Sequence, residues 1–398
     1  MMSPFLLIFA LISADTLVIS IEDAVRMALE ANPSLKSAEA QTTSSKLNFY
    51  ETALSGIVTP TLTYTKEDTF ASTTSLGLDL TLFDINRVAS ATSSWGSARS
   101  QVYQLRETRN STVLSTQVAY LSLLAAQADV EAKRRSLERA EANLRLIEKK
   151  FELGAATKLD LMRAKVQRGQ AELALITAEN TLANARAQLA VLLGLDPSIV
   201  VVAKDFDFTP DTAELDLDSL IAAALSHRPK VLAQQIDTRT AKASFWMSAL
   251  SVLPRVSMSW NWMRQNGHDW TREGPTKRTT LTLDLIGYPF RVATARQTAR
   301  SAEYALKSVR IEVAKDVQAK YLELMAARQK FELAQATLEQ ARMAYELASA
   351  QYEAGELSVI ELFDAESDLA DAEAQFEAAK YDVYKAILNL KFAVGEDL

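Results

Sequence analysis

Two carboxylates three residues apart, Glu361 and Asp364, open an apolar-periodic segment just after Gly355, and at that spacing they share one helix face. A carboxylate pair can do general acid–base work. That work needs an enclosed cleft and unequal pKa values, and no neighbouring motif builds one. At the start of a helix the same residues also complement the dipole. No other group of residues suggests catalysis. The chain has no cysteine, which excludes disulfides, thiolate metal sites and a lipidated N-terminal cysteine. His227 and His268 lack a partner at ligand spacing, so neither a metal nor another cofactor is expected. Gly-rich phosphate loops and nucleophile elbows are missing, which argues against an ATPase or hydrolase and for a non-enzymatic role. A formal net charge of −7 argues against nucleic acid as a partner.

The elements that carry these residues occur twice. From Tyr120-Leu121 to Gly194-Leu195-Asp196 and from Tyr321-Leu322 to Gly395-Glu396-Asp397 the chain aligns with itself at a constant offset of about 201 residues. Leu137/Leu338, Glu138/Glu339, Gly154/Gly355, Leu161/Leu362 and Ala164/Ala365 are among the identical pairs. A period this long describes a duplicated half-protein rather than a solenoid unit. With only 11 Gly and 9 Pro in 398 residues, the composition belongs to long helices.

The expected organisation runs as follows. Residues 1–14 form a signal segment, an apolar run of about 10 residues cleaved after Ala14, too short to span a bilayer. Residues 15–195 form the first repeat, 196–218 a linker, and 219–398 the second repeat. Asn32-Pro33 and Arg228-Pro229 each start a helix after a short amphipathic one. The period then changes from helix to strand over about 58–83 and again over about 255–287. Helical pattern resumes near Asn86 and continues for about 100 Å at 1.5 Å per residue. Within it Leu123, Val130, Leu137, Leu144 and Phe151 recur every seventh position; Leu324, Phe331, Leu338, Tyr345 and Tyr352 repeat the stripe, with Ala327, Ala334, Ala341 and Ala348 beside it. This is a packing seam. Short breaks at Gly154 and Gly355 turn each long helix into an antiparallel hairpin.

The strands alternate strictly. Leu62, Leu76, Leu78, Leu80 and Leu82 oppose Thr61, Thr63, Asp79 and Thr81, while Leu281, Leu283 and Leu285 oppose Thr280, Thr282 and Asp284. Asp79 and Asp284, mid-strand on the polar face, suit a water-filled lumen, since an unpaired charge is costly in a dry core. Tyr64, Trp260, Trp262, Trp270 and Tyr288 lie where an interfacial aromatic girdle would be. Four strands are too few to close a barrel, and open edges do not survive in lipid, so strands that meet membrane lipid must be shared between chains.

At the hairpin tips the sequence reads Phe151-Glu-Leu-Gly154-Ala-Ala-Thr157-Lys-Leu-Asp160-Leu161 and Tyr352-Glu-Ala-Gly355-Glu-Leu-Ser358-Val-Ile-Glu361-Leu362-Phe-Asp364-Ala365. With the Leu80-Thr-Leu-Phe-Asp84 strand end and the Asn32-Pro33 opening, these motifs resemble the TolC-like outer-membrane efflux protein family over essentially the whole mature chain. The resemblance implies a mainly α fold with a small β part. Duplicated helical hairpins would form a periplasmic barrel, and four strands per chain would join a shared membrane β-barrel in a homotrimer. It implies an exit duct for efflux or type I secretion in the outer membrane, its helical part in the periplasm. A periplasmic adaptor (membrane fusion) protein and an inner-membrane transporter would be its partners. By position it implies that Glu361 and Asp364 ring the pore entrance and that Asp160 and Tyr352 belong to an entrance latch. It further implies that the tips at Gly154, Thr157, Gly355 and Ser358 meet the adaptor. Leu357 stands where the family pattern has an arginine, which puts the latch wiring in doubt. The runner-up reading, a periplasmic adaptor or structural coiled-coil protein without a pore, would show one hairpin flanked by β-rich domains.

Overall fold

The computed structural model describes residues 16–54, 58–68, 71–205, 216–265, 276–283 and 286–396. The expected signal segment 1–14 lies outside the described residues, as do His268, Trp270, Asp284 and Leu285. The elements, in chain order, are β1 (Thr16–Ile19), α1 (Ile21–Ala31), α2 (Pro33–Leu54), β2 (Val58–Asp68), β3 (Ala71–Phe83), α3 (Ile85–Glu152), α4 (Lys158–Leu192), β4 (Val200–Ala203), α5 (Leu217–His227), α6 (Pro229–Leu250), β5 (Arg255–Gln265), β6 (Thr276–Thr282), α7 (Tyr288–Ala354) and α8 (Val359–Val394). Two helices of 68 and 67 residues dominate, so the mainly α class with a small β part holds.

Local chemistry sets the boundaries. Ser20 caps α1 by accepting the Asp23 amide at 3.2 Å. Asn32 opens α2 by accepting the amides of Ser34 at 2.9 Å and Leu35 at 3.3 Å, with Pro33 at the first helical position, where a missing N–H costs nothing. At the end of α8 the amide of Gly395, which takes the left-handed conformation, donates back to the carbonyls of Lys391 and Phe392.

The chain divides into two compact units that cut across the duplication. Unit 1 takes Met1–Leu35, Arg109–Ala222 and Lys315–Leu398; unit 2 takes Lys36–Thr108 and Ala223–Ala314. In unit 2 the two halves use the same clasp. The Thr42 hydroxyl lies 2.8 Å from the Ala38 carbonyl on its own helix and 3.5 Å from that of Gln101 on α3. Thr238 repeats this against Gln234 at 2.8 Å and Ala302 of α7 at 3.1 Å. A threonine satisfied this way can be buried between two helices without an orphaned hydroxyl.

Unit 2 also holds a four-stranded antiparallel sheet in the order β2-β3-β5-β6. Its register aligns the apolar rows across the strands: Leu62 pairs with Leu76 and Leu76 with Trp262, while Leu78 pairs with Trp260 and Leu80 with Met258. The alternate row carries Thr59, Asp79, Ser259 and Arg278 side by side. One face is therefore mainly apolar across β2, β3 and β5 and the other polar, while β6 brings Lys277 and Thr279 into the apolar rows opposite Trp260 and Met258. β2 and β6 are the outer strands, and among the described residues neither outer edge is paired.

Unit 1 holds a core that joins distant parts of the chain. Ile19, Ala24, Tyr120, Leu121, Leu189 and Val201 pack together with Tyr381 of α8. β1 runs parallel to β4, with Thr16 opposite Val200 and Ile19 opposite Ala203. Two side chains of α3 secure that joint. The Tyr120 hydroxyl lies 3.0 Å from the Ile19 carbonyl and 2.7 Å from that of Lys204. The Gln127 amide group brackets Ala203, accepting its N–H at 3.1 Å and donating to its carbonyl at 3.4 Å. The alanine row beside the heptad seam, Ala327, Ala334, Ala341 and Ala348, is buried along its length.

Candidate functional site at the hairpin tips

Both tips are built from the same two devices. At the first, Gly154 adopts φ +74°, which lets the Gly154 amide reach the Phe151 carbonyl at 3.0 Å and the Ala155 amide reach Lys150 at 2.7 Å. At the second, Gly355 adopts φ +82°, with Gly355 to Tyr352 at 3.2 Å and Glu356 to Gln351 at 2.9 Å. Only glycine takes this left-handed turn at no steric cost, so each glycine closes a helix by a Schellman pair. A capping box then starts the returning helix. Thr157 accepts the Asp160 amide at 3.2 Å while the Asp160 carboxylate accepts the Thr157 amide at 3.0 Å. Ser358 and Glu361 repeat the exchange at 3.4 and 3.1 Å.

These bonds decide the electrostatics. The Thr157 hydroxyl and amide hold the Asp160 carboxyl below its usual range, and Ser358 does the same for Glu361. Both carboxylates are ionised, exposed or half-exposed, and engaged with their own caps. Asp364 is exposed one turn further on, in a groove between the starts of α4 and α8 that Leu159, Met162, Arg163, Ile360 and Phe363 also line.

Tyr352 differs from the other tip residues. It is 7% exposed and packs with Ile147, Ala164, Val359 and Leu362, with Leu357 half-buried against the same cluster. Its phenol is pushed up by burial and then by the charge of Asp160. The Lys150 Nζ sits 4.0 Å from the Tyr352 ring centroid and donates to the Tyr352 carbonyl at 2.6 Å. Asp160 is thus near Tyr352, yet its hydrogen bonds go to Thr157.

About two turns into α8 from its Ser358 cap, at 3.6 residues per turn, lies a polar cluster the sequence reading missed. Glu366 is 1% exposed; Asn143 Nδ2 donates to its Oε2 at 2.8 Å, and Oε1 has no partner in the protein. Burial raises the Glu366 carboxyl, with Asn143 and Arg139 pulling the other way. Arg139 itself pairs with Glu373 at 3.0 Å. The cluster ties α3 to α8. A signal for it was present: Val359, Leu362, Leu369 and Ala372 are buried at helical spacing, and Glu366 stands in their row. Lys150 gave no comparable signal, because a lysine in a last helical turn is ordinary.

In the sheet, Asp79 is exposed on the polar face, with Thr59 and Ser259 as its neighbours. Its expected counterpart Asp284 lies outside the described residues. No described helix is long and apolar enough to cross a membrane.

Paired hairpins with glycine-capped tips, joined to an open sheet with one apolar face, match a known family over most of the chain. The family model for outer membrane efflux proteins matches residues 24–195 and 220–396, and the chain belongs to that family. Among characterised relatives, outer membrane protein TolC of Vibrio cholerae is 23% identical over 310 residues, covering 75% of this chain and 70% of that protein. Protein CyaE of Bordetella pertussis is 26% identical over 246 residues, covering 60% of this chain and 52% of its own length. Among solved structures, the outer membrane protein VceC of Vibrio cholerae superposes with a TM-score of 0.80 at 16% identity, covering 94% of this chain and 96% of that one. The family and these neighbours establish the fold and an outer-membrane location.

Proposed function

We propose that this chain is the exit duct of a tripartite efflux or type I secretion system, a passive conduit assembled as a homotrimer. A periplasmic adaptor would engage it and an inner-membrane transporter would feed it. The observation that carries the reading is the sheet. One chain supplies four strands with a mainly apolar face and, among the described residues, two unpaired outer edges. Such edges are intolerable in lipid, and roughly eight strands are the fewest that close a filled barrel. Three copies would close one of twelve.

The helices support the same assembly. α4 buries Ala164, Ala178, Leu182 and Leu189 within the chain, yet Leu159, Met162, Val166, Leu173 and Ile176 form an exposed stripe. α7 likewise exposes Leu322, Leu333, Met343 and Leu347. Burying a side chain of this size contributes about 1.5–3 kcal/mol, so both stripes favour contact with another copy. An adaptor would carry one hairpin; this chain carries two and a sheet.

Within that assembly, Glu361 and Asp364 would ring the entrance and attract cations. Asp160 and Tyr352 would belong to its latch, and the tip residues Gly154, Thr157, Gly355 and Ser358 would meet the adaptor. Asp79, with Asp284, would face the barrel lumen. Native mass spectrometry of the detergent-extracted protein should give three chains, each lighter than the full 43.8 kDa by the cleaved signal segment, and planar bilayers should show a cation-selective pore. The double substitution Glu361→Gln with Asp364→Asn should reduce that selectivity. A detergent-free, soluble monomer without conductance would overturn the duct; unchanged selectivity would overturn only the ring.

A further inference from the structure

Resting on the duct reading, we infer that Lys150 is the positioning residue that holds the second hairpin tip against the first hairpin, and so sets the resting closure of the entrance. The need for it is electrostatic. Between Tyr352 and Asp364 the chain carries Glu353, Glu356, Glu361 and Asp364 and no lysine or arginine. α7 ends there without a basic residue in its last turn, whereas α3 ends with Lys149 and Lys150. The C-terminal carbonyls of a helix carry partial negative charge and have no partners within the helix. α7 therefore ends in a negative pole that its own sequence leaves uncompensated.

Lys150 reaches across from α3 to supply the charge. Its Nζ donates to the Tyr352 carbonyl at 2.6 Å, beside the Gly355 amide that the same carbonyl accepts at 3.2 Å. The ammonium also lies 4.0 Å from the Tyr352 ring centroid, within cation–π range. That ring is packed among Ile147, Ala348 and Leu362, so the anchor point cannot swing away without opening the cluster. Leu357 joins this apolar cluster and provides no charge. The clasp runs one way only, since the duplicated positions are Gln351 and Phe151.

The test separates this clasp from one made by the Tyr352 hydroxyl with Asp160. In planar bilayers Lys150→Gln should raise the open-to-closed ratio about tenfold or more, the size expected for a lost charge-assisted hydrogen bond. Lys150→Arg should restore closure in part. Tyr352→Phe keeps both the ring and the carbonyl that Lys150 contacts and removes only the hydroxyl, so it should open the pore clearly less than Lys150→Gln. Hydrogen exchange of the same trimers supplies a second readout. Lys150→Gln should speed exchange at the amides of 355–358 and leave those of 154–157 unchanged. Three results would overturn the inference: a silent Lys150→Gln, opening by Tyr352→Phe as large as that by Lys150→Gln, or equal acceleration at both tips, which would mean general loosening. If the wild type forms no pore at all, the duct reading fails, and the exchange experiment still decides the clasp.

Discussion

The two hairpin tips began as one sequence and have kept one backbone while exchanging their surroundings. Thr157–Asp160 and Ser358–Glu361 make the same capping box, and Gly154 and Gly355 make the same turn. Their packing differs. Phe151 is 39% exposed where its duplicate Tyr352 is 7% exposed, and Lys165 is exposed where its duplicate Glu366 is buried. Caps depend on residues three apart and survive any change around them. Burial depends on what lies across the groove, so it is where two copies can take different work.

Exchanging the residues of one such pair should show the largest contrast. Glu366→Lys puts a second cation beside Arg139 in a buried site, and breaking that arrangement should cost about 3–5 kcal/mol in chemical unfolding. Lys165→Glu, on an exposed face, should stay within about 0.5 kcal/mol. Equal effects would mean that the two positions are not as different as their exposure indicates.

A second contrast is apolar. Leu362 is 0% exposed, whereas its duplicate Leu161 is half-buried. Leu362→Ala should therefore cost about 2–5 kcal/mol, and Leu161→Ala clearly less, read from thermal midpoints at one pH.

The smallest effect is a pH dependence. Burial lifts the Glu366 carboxyl above the ordinary glutamate value of 4.5. Below that value the group is protonated in the folded and unfolded chain alike, and its contribution is fully present. As pH rises through the raised folded value, ionisation favours the unfolded chain and stability is lost. Glu366→Gln keeps an acceptor for Asn143 and removes the titration. Its thermal midpoint should match wild type near about pH 4 and exceed it increasingly toward about pH 7. Parallel curves would show that Glu366 does not titrate there.

Much of this was legible in the sequence because it is local or periodic. Seven-residue spacing located the buried alanine rows, strict alternation located the sheet faces, and the offset repeat located both tips. What escaped was long-range. Within the expected linker, Val200–Ala203 forms a strand whose partner at Thr16–Ile19 is four residues long and far earlier in the chain, so no local pattern could pair them. Glu366 looked like one more helix charge because exposure, rather than residue type, distinguishes it. The Lys150 contact depends on how α3 and α7 are brought together, which neither helix encodes alone.

The route of the chain through unit 1 also bears on how the protein is made. That unit draws on the beginning, middle and end of the sequence, and Tyr381 from its last helix shares a core with Ile19 and Ala24. Unit 2 needs nothing beyond Ala314. A chain emerging from its N-terminus can thus supply all of the unit that holds the four-stranded sheet while the other still lacks α8 and the Tyr381 that α8 brings to its core. Contacts of such sequence separation form slowly, and exposed apolar surface in the interval invites aggregation. α8 is therefore a folding checkpoint: until it is delivered, the core around Ile19 and Ala24 is unfinished.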